Sequence, residues 1–226
     1  MLLLFDIDGT LLESGEAGTR ALNRAFEELF SVRDAFKQIK MAGKTDLQII
    51  KEALKLHGIN SSDGALSALL QRYVIILRRE INNPRKRLKP GVKDFLELIS
   101  SMNLLKGLLT GNLREGAEIK LGAFKLNRYF IDGAFGSDHE DRNQLLPIAI
   151  ERFRDRGYPV LPEHCFVIGD TPRDVECAKI HGARCIAVCT GPYSFKELAQ
   201  TDADLVVESL REVEKILSFL KTILHN

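Results

Sequence analysis

Short apolar runs alternate along this chain with longer stretches in which apolar residues recur at helical spacing. That alternation predicts an α/β fold around a mostly parallel sheet. The predicted strands occupy residues 2–5, 106–109, 131–135, 165–168, 185–188 and 205–207. Between them, Val92, Phe95, Leu96, Ile99 and Met102 share one helix face, and Leu210, Val213, Ile216, Leu217 and Leu220 share another. Both stripes are expected to pack in the core.

One interval breaks the alternation. From about residue 14 to residue 84 the pattern is helical throughout, with Ala17, Ala21, Ala25, Phe26 and Leu29 on one stripe and Leu47, Ile50 and Leu54 on the next, which Gly58 stops. This reads as an all-helical insertion after the first strand. Asn82-Asn83-Pro84 and Lys89-Pro90-Gly91 mark the return as turn and helix-start signals that suit a hinge. The chain of 226 residues is long enough for a core domain plus a smaller inserted one.

Charge and composition narrow the partners. A formal charge of +1 gives no broad field for gathering nucleic acid or an anionic membrane, so an anion must be bound locally. The basic run Arg78, Arg79, Arg85, Lys86, Arg87 and Lys89 has little aromatic interleaving and reads as a solvated face near the hinge. The apolar run 2–5 meets Asp6 at once with no cationic stretch before it, which is neither a signal peptide nor a membrane span. A cytoplasmic location is therefore expected. Cys165, Cys177, Cys185 and Cys189 form no CxxC pair and are expected to be reduced, buried thiols.

Chemistry gathers at the strand ends. In open α/β sheets ligands bind beyond the carboxyl ends of the strands, so acids there face a site and not the core. The first strand ends in Phe5-Asp6-Ile7-Asp8-Gly9-Thr10, the second in Thr110-Gly111-Asn112, and a later one in Gly169-Asp170-Thr171-Pro172-Arg173-Asp174. Thr110, the backbone amide of Gly111 and the Asn112 side chain are suitable donors for a phosphoryl oxygen. Asp170 is placed to bind a hard cation, and Asp174 can return to the same site from the first helical turn. Each segment also has a plain structural reading, as a turn at Asp6–Thr10 and at Gly111-Asn112, and as a helix cap at Asp170 or Thr171.

Together, in this order, the three motifs resemble those of the haloacid dehalogenase superfamily, and the likeness covers nearly the whole chain. The resemblance implies a Rossmann-like three-layer core, residues 1–13 and 86–226, with a helical cap at residues 14–85. It implies hydrolysis of a small phosphomonoester, similar to phosphoglycolate phosphatase-like members. A phosphate dianion repels an attacking carboxylate, so a cation between them is needed, and Mg²⁺ is the usual one. By the family pattern Mg²⁺ is held by the carboxylates of Asp6 and Asp170 and the backbone carbonyl of Asp8, with Thr10 and Asp174 supporting from behind. Asp6 is then the nucleophile that forms an aspartyl-phosphate. Asp8 protonates the leaving alkoxide and later takes a proton from water. Dehalogenases and phosphonate hydrolases of this fold lack an acid at the position of Asp8, so its presence points to a phosphatase or a phosphomutase of the β-phosphoglucomutase kind. A non-catalytic phosphate-binding or scaffold protein is the alternative from another class; it would be expected to have lost one of these acids.

The family usually carries a lysine beyond the third strand, and this chain has none there. After residues 131–135 it reads Gly136-Ser137-Asp138-His139-Glu140-Asp141-Arg142. Arg142 is the expected substitute, its planar fork clamping phosphate and Asp6 together; the other reading is a solvated arginine paired with Asp138 or Asp141. His139 is expected to be exposed. In the cap, Gly43-Lys44-Thr45-Asp46 is not a P-loop, because Gln38 stands where a glycine is needed and no strand precedes it. Lys44 resembles the basic residue that caps of this family direct at the substrate, and the same segment also reads as a helix start capped by Thr45 or Asp46.

Overall fold

A computed structural model describes residues 1–61, 63–102 and 104–224, which leaves 62, 103 and 225–226 of the expected domains outside the described residues. Six strands, β1 (Leu2–Phe5), β4 (Leu105–Thr110), β5 (Gly133–Phe135), β6 (Cys165–Gly169), β7 (Arg184–Val188) and β8 (Leu205–Val207), form one parallel sheet in the order β5-β4-β1-β6-β7-β8. The chain leaves β1 for one side of the sheet and then returns to build the other. The order therefore reverses at β1, where α/β sheets open a crevice for ligands.

Alternation along β1 builds two cores. Leu3 and Phe5 face helices α4 (Val92–Ser101), α5 (Arg114–Gly122) and α9 (Val213–Leu224) through Phe95, Leu96, Leu121 and Ile216. Leu2 and Leu4 face α6 (Leu145–Asp155), α7 (Pro172–Lys179) and α8 (Phe195–Leu198) through Leu146, Phe153, Val175 and Leu198. The stripe from Val92 to Ile99 and the stripe from Leu210 to Leu220 lie on the first face, whereas Met102, expected on the first stripe, follows the end of α4 and is 41% exposed. Gly91 opens α4 at φ 81°, where any side chain would strike the backbone of Leu210 and Arg211.

Helices α1 (Ala17–Phe30), α2 (Asp46–Leu56) and α3 (Asp63–Glu80) pack around a third apolar cluster that includes Phe26, Ile50, Leu54 and Leu77. Thr45 caps α2 by accepting from the Gln48 amide at 3.1 Å, and Gly58 turns the chain away at φ 66°. Two strands that the pattern did not predict, β2 (Leu12–Glu13) and β3 (Arg87–Leu88), pair antiparallel where the chain leaves and re-enters the core. The basic run is partly neutralised there: Arg85 pairs with Glu16, and Arg87 and Lys89 with Glu13. The four cysteines are free thiols, Cys189 half-buried and the rest buried. Among the described residues no helix is long and apolar enough to cross a membrane.

Candidate active site

Asp6 follows β1 directly, and its amide donates to the Ile168 carbonyl of β6 at 2.9 Å, so the strand pairing itself fixes the carboxylate over the sheet edge. The chain then turns back on Ile7, whose carbonyl accepts from the amides of Leu11 and Leu12. Gly9 holds this turn at φ 88°, and a side chain there would run into Asp170. Thr10 donates to Asp170 Oδ1 at 2.9 Å, and Thr190 closes the turn by donating to the Gly9 carbonyl at 2.6 Å. Asp170, at the end of β6, is 1 % exposed, with Oδ2 accepting no hydrogen bond from the described residues.

Asp174 returns from the first turn of α7. Its Oδ2 accepts from the amide and hydroxyl of Thr171 at 3.0 and 2.7 Å, a capping box, and its Oδ1 accepts from Arg142. The capping and the acidic-cluster readings of this segment thus both hold. Carboxylate oxygens of Asp6, Asp170 and Asp174 lie within 4.8 Å of one another. An all-oxygen set of this kind fits a hard divalent cation. Asp6 and Asp170 are the better placed to hold one, since both oxygens of Asp174 are already engaged.

Arg142 lies in a single 3-10 turn before α6 and is 3 % exposed. Nη2 sits 3.3 Å from Asp6 Oδ1, donates to Asp174 and reaches the Leu109 carbonyl at 3.4 Å, while Nη1 reaches the Gly43 carbonyl of the helical insertion at 3.5 Å. Its Nε is buried without a partner among the described residues. The solvated alternative fails for a local reason. Asp138 is taken by Arg152 at 2.6 and 2.8 Å, and Asp141 accepts from the Asn143 amide to cap the turn. His139 is exposed, as expected.

Electrostatics follow from this crowding. Burial, helped by the charges of Asp174 and Asp8, raises the Asp6 carboxyl to about 6 even though the Arg142 charge opposes it. Burial and the neighbouring Asp6 and Asp174 hold Asp170 well above the usual carboxylate range. Burial disfavours the Arg142 charge, but Asp174 and Asp6 outweigh it and keep the guanidinium firmly protonated.

Thr110, Gly111 and Asn112 end β4 beside these acids, and they differ in exposure. Thr110 is fully buried, and its hydroxyl accepts from the Asn112 side chain at 2.8 Å instead of lining the cavity. Gly111 and Asn112 do line it. The glycine has a second purpose: a Cβ there would strike the Lys44 carbonyl, so only glycine lets residues 43–46 come this close. That approach is sealed by the Asp46 amide donating to the Gly111 carbonyl at 2.7 Å and by Thr45 Oγ1 donating to the Glu140 carbonyl at 2.6 Å. Lys44 borders the cavity, but its ammonium is drawn to Glu52 at 2.5 and 2.7 Å. The cavity enclosed between sheet edge and helical insertion measures about 470 Å³, with Leu22, Met41 and Ile49 as apolar walls.

Two residues of the site, Lys120 and Tyr73, have no place among the sequence-based expectations, and a third, Asp46, is expected only as a helix cap. Lys120 of α5 is 4 % exposed and donates to Asp8 Oδ2 at 2.6 Å and to Asn112 Oδ1 at 2.5 Å. Asp46 of α2 accepts from the Leu113 amide at 2.9 Å, with burial raising its carboxyl to about 6. Tyr73 of α3 is 1 % exposed, and burial together with the charges of Asp46 and Asp8 holds its hydroxyl well above the usual range. A lysine three positions after the buried Ala117, on the helix that follows Thr110-Gly111-Asn112, was the one available signal.

An acid pair after the first strand, a Thr-Gly-Asn end on its neighbour and a third acid after β6 thus meet over one sheet edge. The model of the haloacid dehalogenase-like hydrolases matches residues 3–188, and the chain belongs to that family. Phosphoglycolate phosphatase 1 of Pseudomonas aeruginosa is 24% identical over 219 residues, covering 94% of this chain and 78% of the relative. A phosphoglycolate phosphatase of Nitrosococcus oceani is 24% identical over 221 residues, 96% of each chain. The protein is accordingly an enzyme and, within the family, a phosphatase. Solved structures agree on the fold. A predicted phosphatase from Clostridium acetobutylicum superposes with a TM-score of 0.72 at 19% identity, covering 96% of this chain and 98% of the other. CbbY from Rhodobacter sphaeroides, in a variant complexed with xylulose-(1,5)bisphosphate, gives 0.75 at 21% identity, covering 93% and 95%.

Proposed function

We propose that the protein is a Mg²⁺-dependent phosphatase of a small phosphorylated metabolite, working in the cytoplasm through an aspartyl-phosphate on Asp6. The observation that carries this reading is the arrangement of Asp6 and Asp170 beside Arg142 at one end of the cavity, with Asp8 standing apart on Lys120. Residues 14–85 are read as a cap over a core of residues 1–13 and 86–226.

The carboxylates of Asp6 and Asp170 and the backbone carbonyl of Asp8 would hold Mg²⁺, whose charge offsets the repulsion between phosphate and nucleophile. Thr10 and Asp174 fix the surroundings of these ligands, Thr10 by its bond to Asp170 and Asp174 through Arg142. An oxygen of Asp6 attacks phosphorus as the ester bond breaks, and Asp8 gives its proton to the departing alkoxide. Water then attacks the aspartyl-phosphate, losing a proton to Asp8, and Asp6 is regenerated with inorganic phosphate. The amides near Gly111 offer donors to the phosphoryl oxygens, whereas the side-chain amide of Asn112, expected to do the same, already spends its two donors on Asp8 and Thr110, and Arg142 meets the developing charge. Lys44, on the cap loop at the cavity rim, is read as the contact to the non-reacting part of the substrate once it exchanges Glu52 for it.

The names of the relatives make 2-phosphoglycolate the first substrate to try. A panel of small phosphomonoesters that includes it should release phosphate with Mg²⁺ and stop when the metal is chelated. No release from any member of the panel, or undiminished release in excess chelator, would overturn this reading.

A further inference from the structure

Lys120 has no part in the scheme above, yet it is the side chain in closest touch with Asp8. Both polar grips on Asp8 fall on one oxygen: Oδ2 accepts from Lys120 Nζ at 2.6 Å and from Asn112 Nδ2 at 2.9 Å. The Lys120–Asn112 bond at 2.5 Å closes the triangle. Oδ1 accepts nothing from the described residues, and the Asp8 side chain is 41% exposed beside the cavity. The carboxyl is therefore held at one end and left free at the other.

Removing an ammonium from water is unfavourable unless nearby charges and acceptors compensate. Here burial opposes the Lys120 charge, and Asp8 and Asp46 more than restore it. Asp46 and Tyr73 belong to the helical insertion, and Gly18 of α1 stands beside them, where a Cβ would be in ordinary contact at 3.5 Å from Lys120 Nζ and 3.6 Å from the Tyr73 hydroxyl. Lys120 is thus bonded within the core, while the charge of Asp46 in the insertion favours its protonated form. Its bonds to Asp8 and Asn112 leave it poorly placed to serve as a phosphate ligand, which is the task of cations beside Asp6.

We propose that Lys120 is a positioning residue for Asp8: with Asn112 it grips Oδ2 and turns Oδ1 toward the leaving-group oxygen. In the first step the proton on Oδ1 passes to that oxygen as the P–O bond breaks. In the second, Oδ1 accepts a proton from the attacking water. Oδ2 keeps accepting from Lys120 in both, so the carboxyl does not wander between them. The inference rests on the assignment of Asp8 as proton donor.

Leaving groups separate this role from simple charge. Acetate departs from acetyl phosphate as a stable anion and needs no proton, whereas an alkoxide does. The test is single-turnover phosphoryl transfer to the Mg²⁺-loaded enzyme from acetyl phosphate and from an alkyl phosphate the wild type turns over, 2-phosphoglycolate in the first instance. Lys120→Met should slow transfer from the alkyl ester ~100-fold while leaving acetyl phosphate within ~3-fold, with Lys120→Arg recovering part of the loss. Asp8→Asn should show the same selectivity. Equal losses on both substrates would make Lys120 a charge for the phosphate, and no loss on either would make it a structural ion pair; both overturn the proposal. Should Lys120→Met fail to fold, Lys120→Gln is read in the same way. A wild type that takes phosphate from neither substrate would refute the phosphatase mechanism itself. An Asp8→Asn variant without selectivity would refute the acid assignment, and this inference with it.

Discussion

Replacing Arg142 by alanine removes a guanidinium packed among Asp6, Asp170 and Asp174. The side chain is 3 % exposed, so water cannot take its place without reorganisation. Its ion pairs with Asp6 and Asp174 and its contacts to the carbonyls of Leu109 and Gly43 are lost together. Breaking a buried pair from one side costs ~3–5 kcal/mol, because the partner charge stays buried. At about 2–4 °C per kcal/mol for a chain of this size, the metal-free variant should melt roughly 6–20 °C below wild type. Mg²⁺ should return much of that difference by supplying positive charge to the same acids. Catalysis should lose at least ~100-fold in kcat/KM, about 2.7 kcal/mol, the scale of a transition-state charge contact. Arg142→Lys should recover only part, since an ammonium keeps the charge but not the planar fork that spans both halves of the molecule. Thermal unfolding with and without Mg²⁺ and steady-state phosphate release measure both effects. A folded Arg142→Ala protein with turnover within a few-fold of wild type would refute the reasoning, and the search would pass to Arg173 or Lys44.

The raised carboxyls make a pH prediction whose sign is fixed. A group with a folded-state pKa above its unfolded value of ~3.9 stabilises at low pH and loses that contribution as pH rises through the folded value. Burial puts Asp6 at about 6 and Asp170 well above the usual range. Metal-free Asp170→Asn should therefore melt above metal-free wild type at about pH 8, with the gap closing toward about pH 5, and it should lose the stabilisation by Mg²⁺. Calorimetry across that range checks it, and parallel curves would contradict it. Gly111→Ala places a Cβ against the Lys44 carbonyl and should push the 43–46 loop off the core. A folded protein with KM raised ~10-fold or more is expected, at about 1.4 kcal/mol of lost binding per decade; unchanged KM would show that the loop does not cover the substrate.

Local structure is legible in the residues themselves. Leu2–Phe5 and Leu205–Val207 match their expected spans, because short apolar runs between helical stripes leave few alternatives. The apolar pattern places Ile131 in a strand, and it lies outside one. It is 43% exposed, and the sheet begins only at Gly133, where Asp132 has its carboxylate taken by Arg114 and Arg156. Strands β2 and β3 were invisible because two-residue strands carry no period and exist only by pairing with each other. Lys120 is the sharper case. A lysine on a helix ordinarily reads as a solvated charge, and its burial depends on Asp8, 112 residues earlier in the chain. Arg142 was legible because its place after the third strand, and not its partners, singled it out.

Asp6 as nucleophile is the claim on which the rest depends. The direct measurement is an acid-quenched reaction of the Mg²⁺-loaded enzyme with acetyl phosphate, followed by peptide mapping of the bound phosphate. Wild type should carry a hydroxylamine-labile phosphate on the peptide containing Asp6, and Asp6→Asn should carry none while its turnover falls at least ~1,000-fold. A phosphate mapped to another residue, or Asp6→Asn turning over at the wild-type rate, would contradict the account.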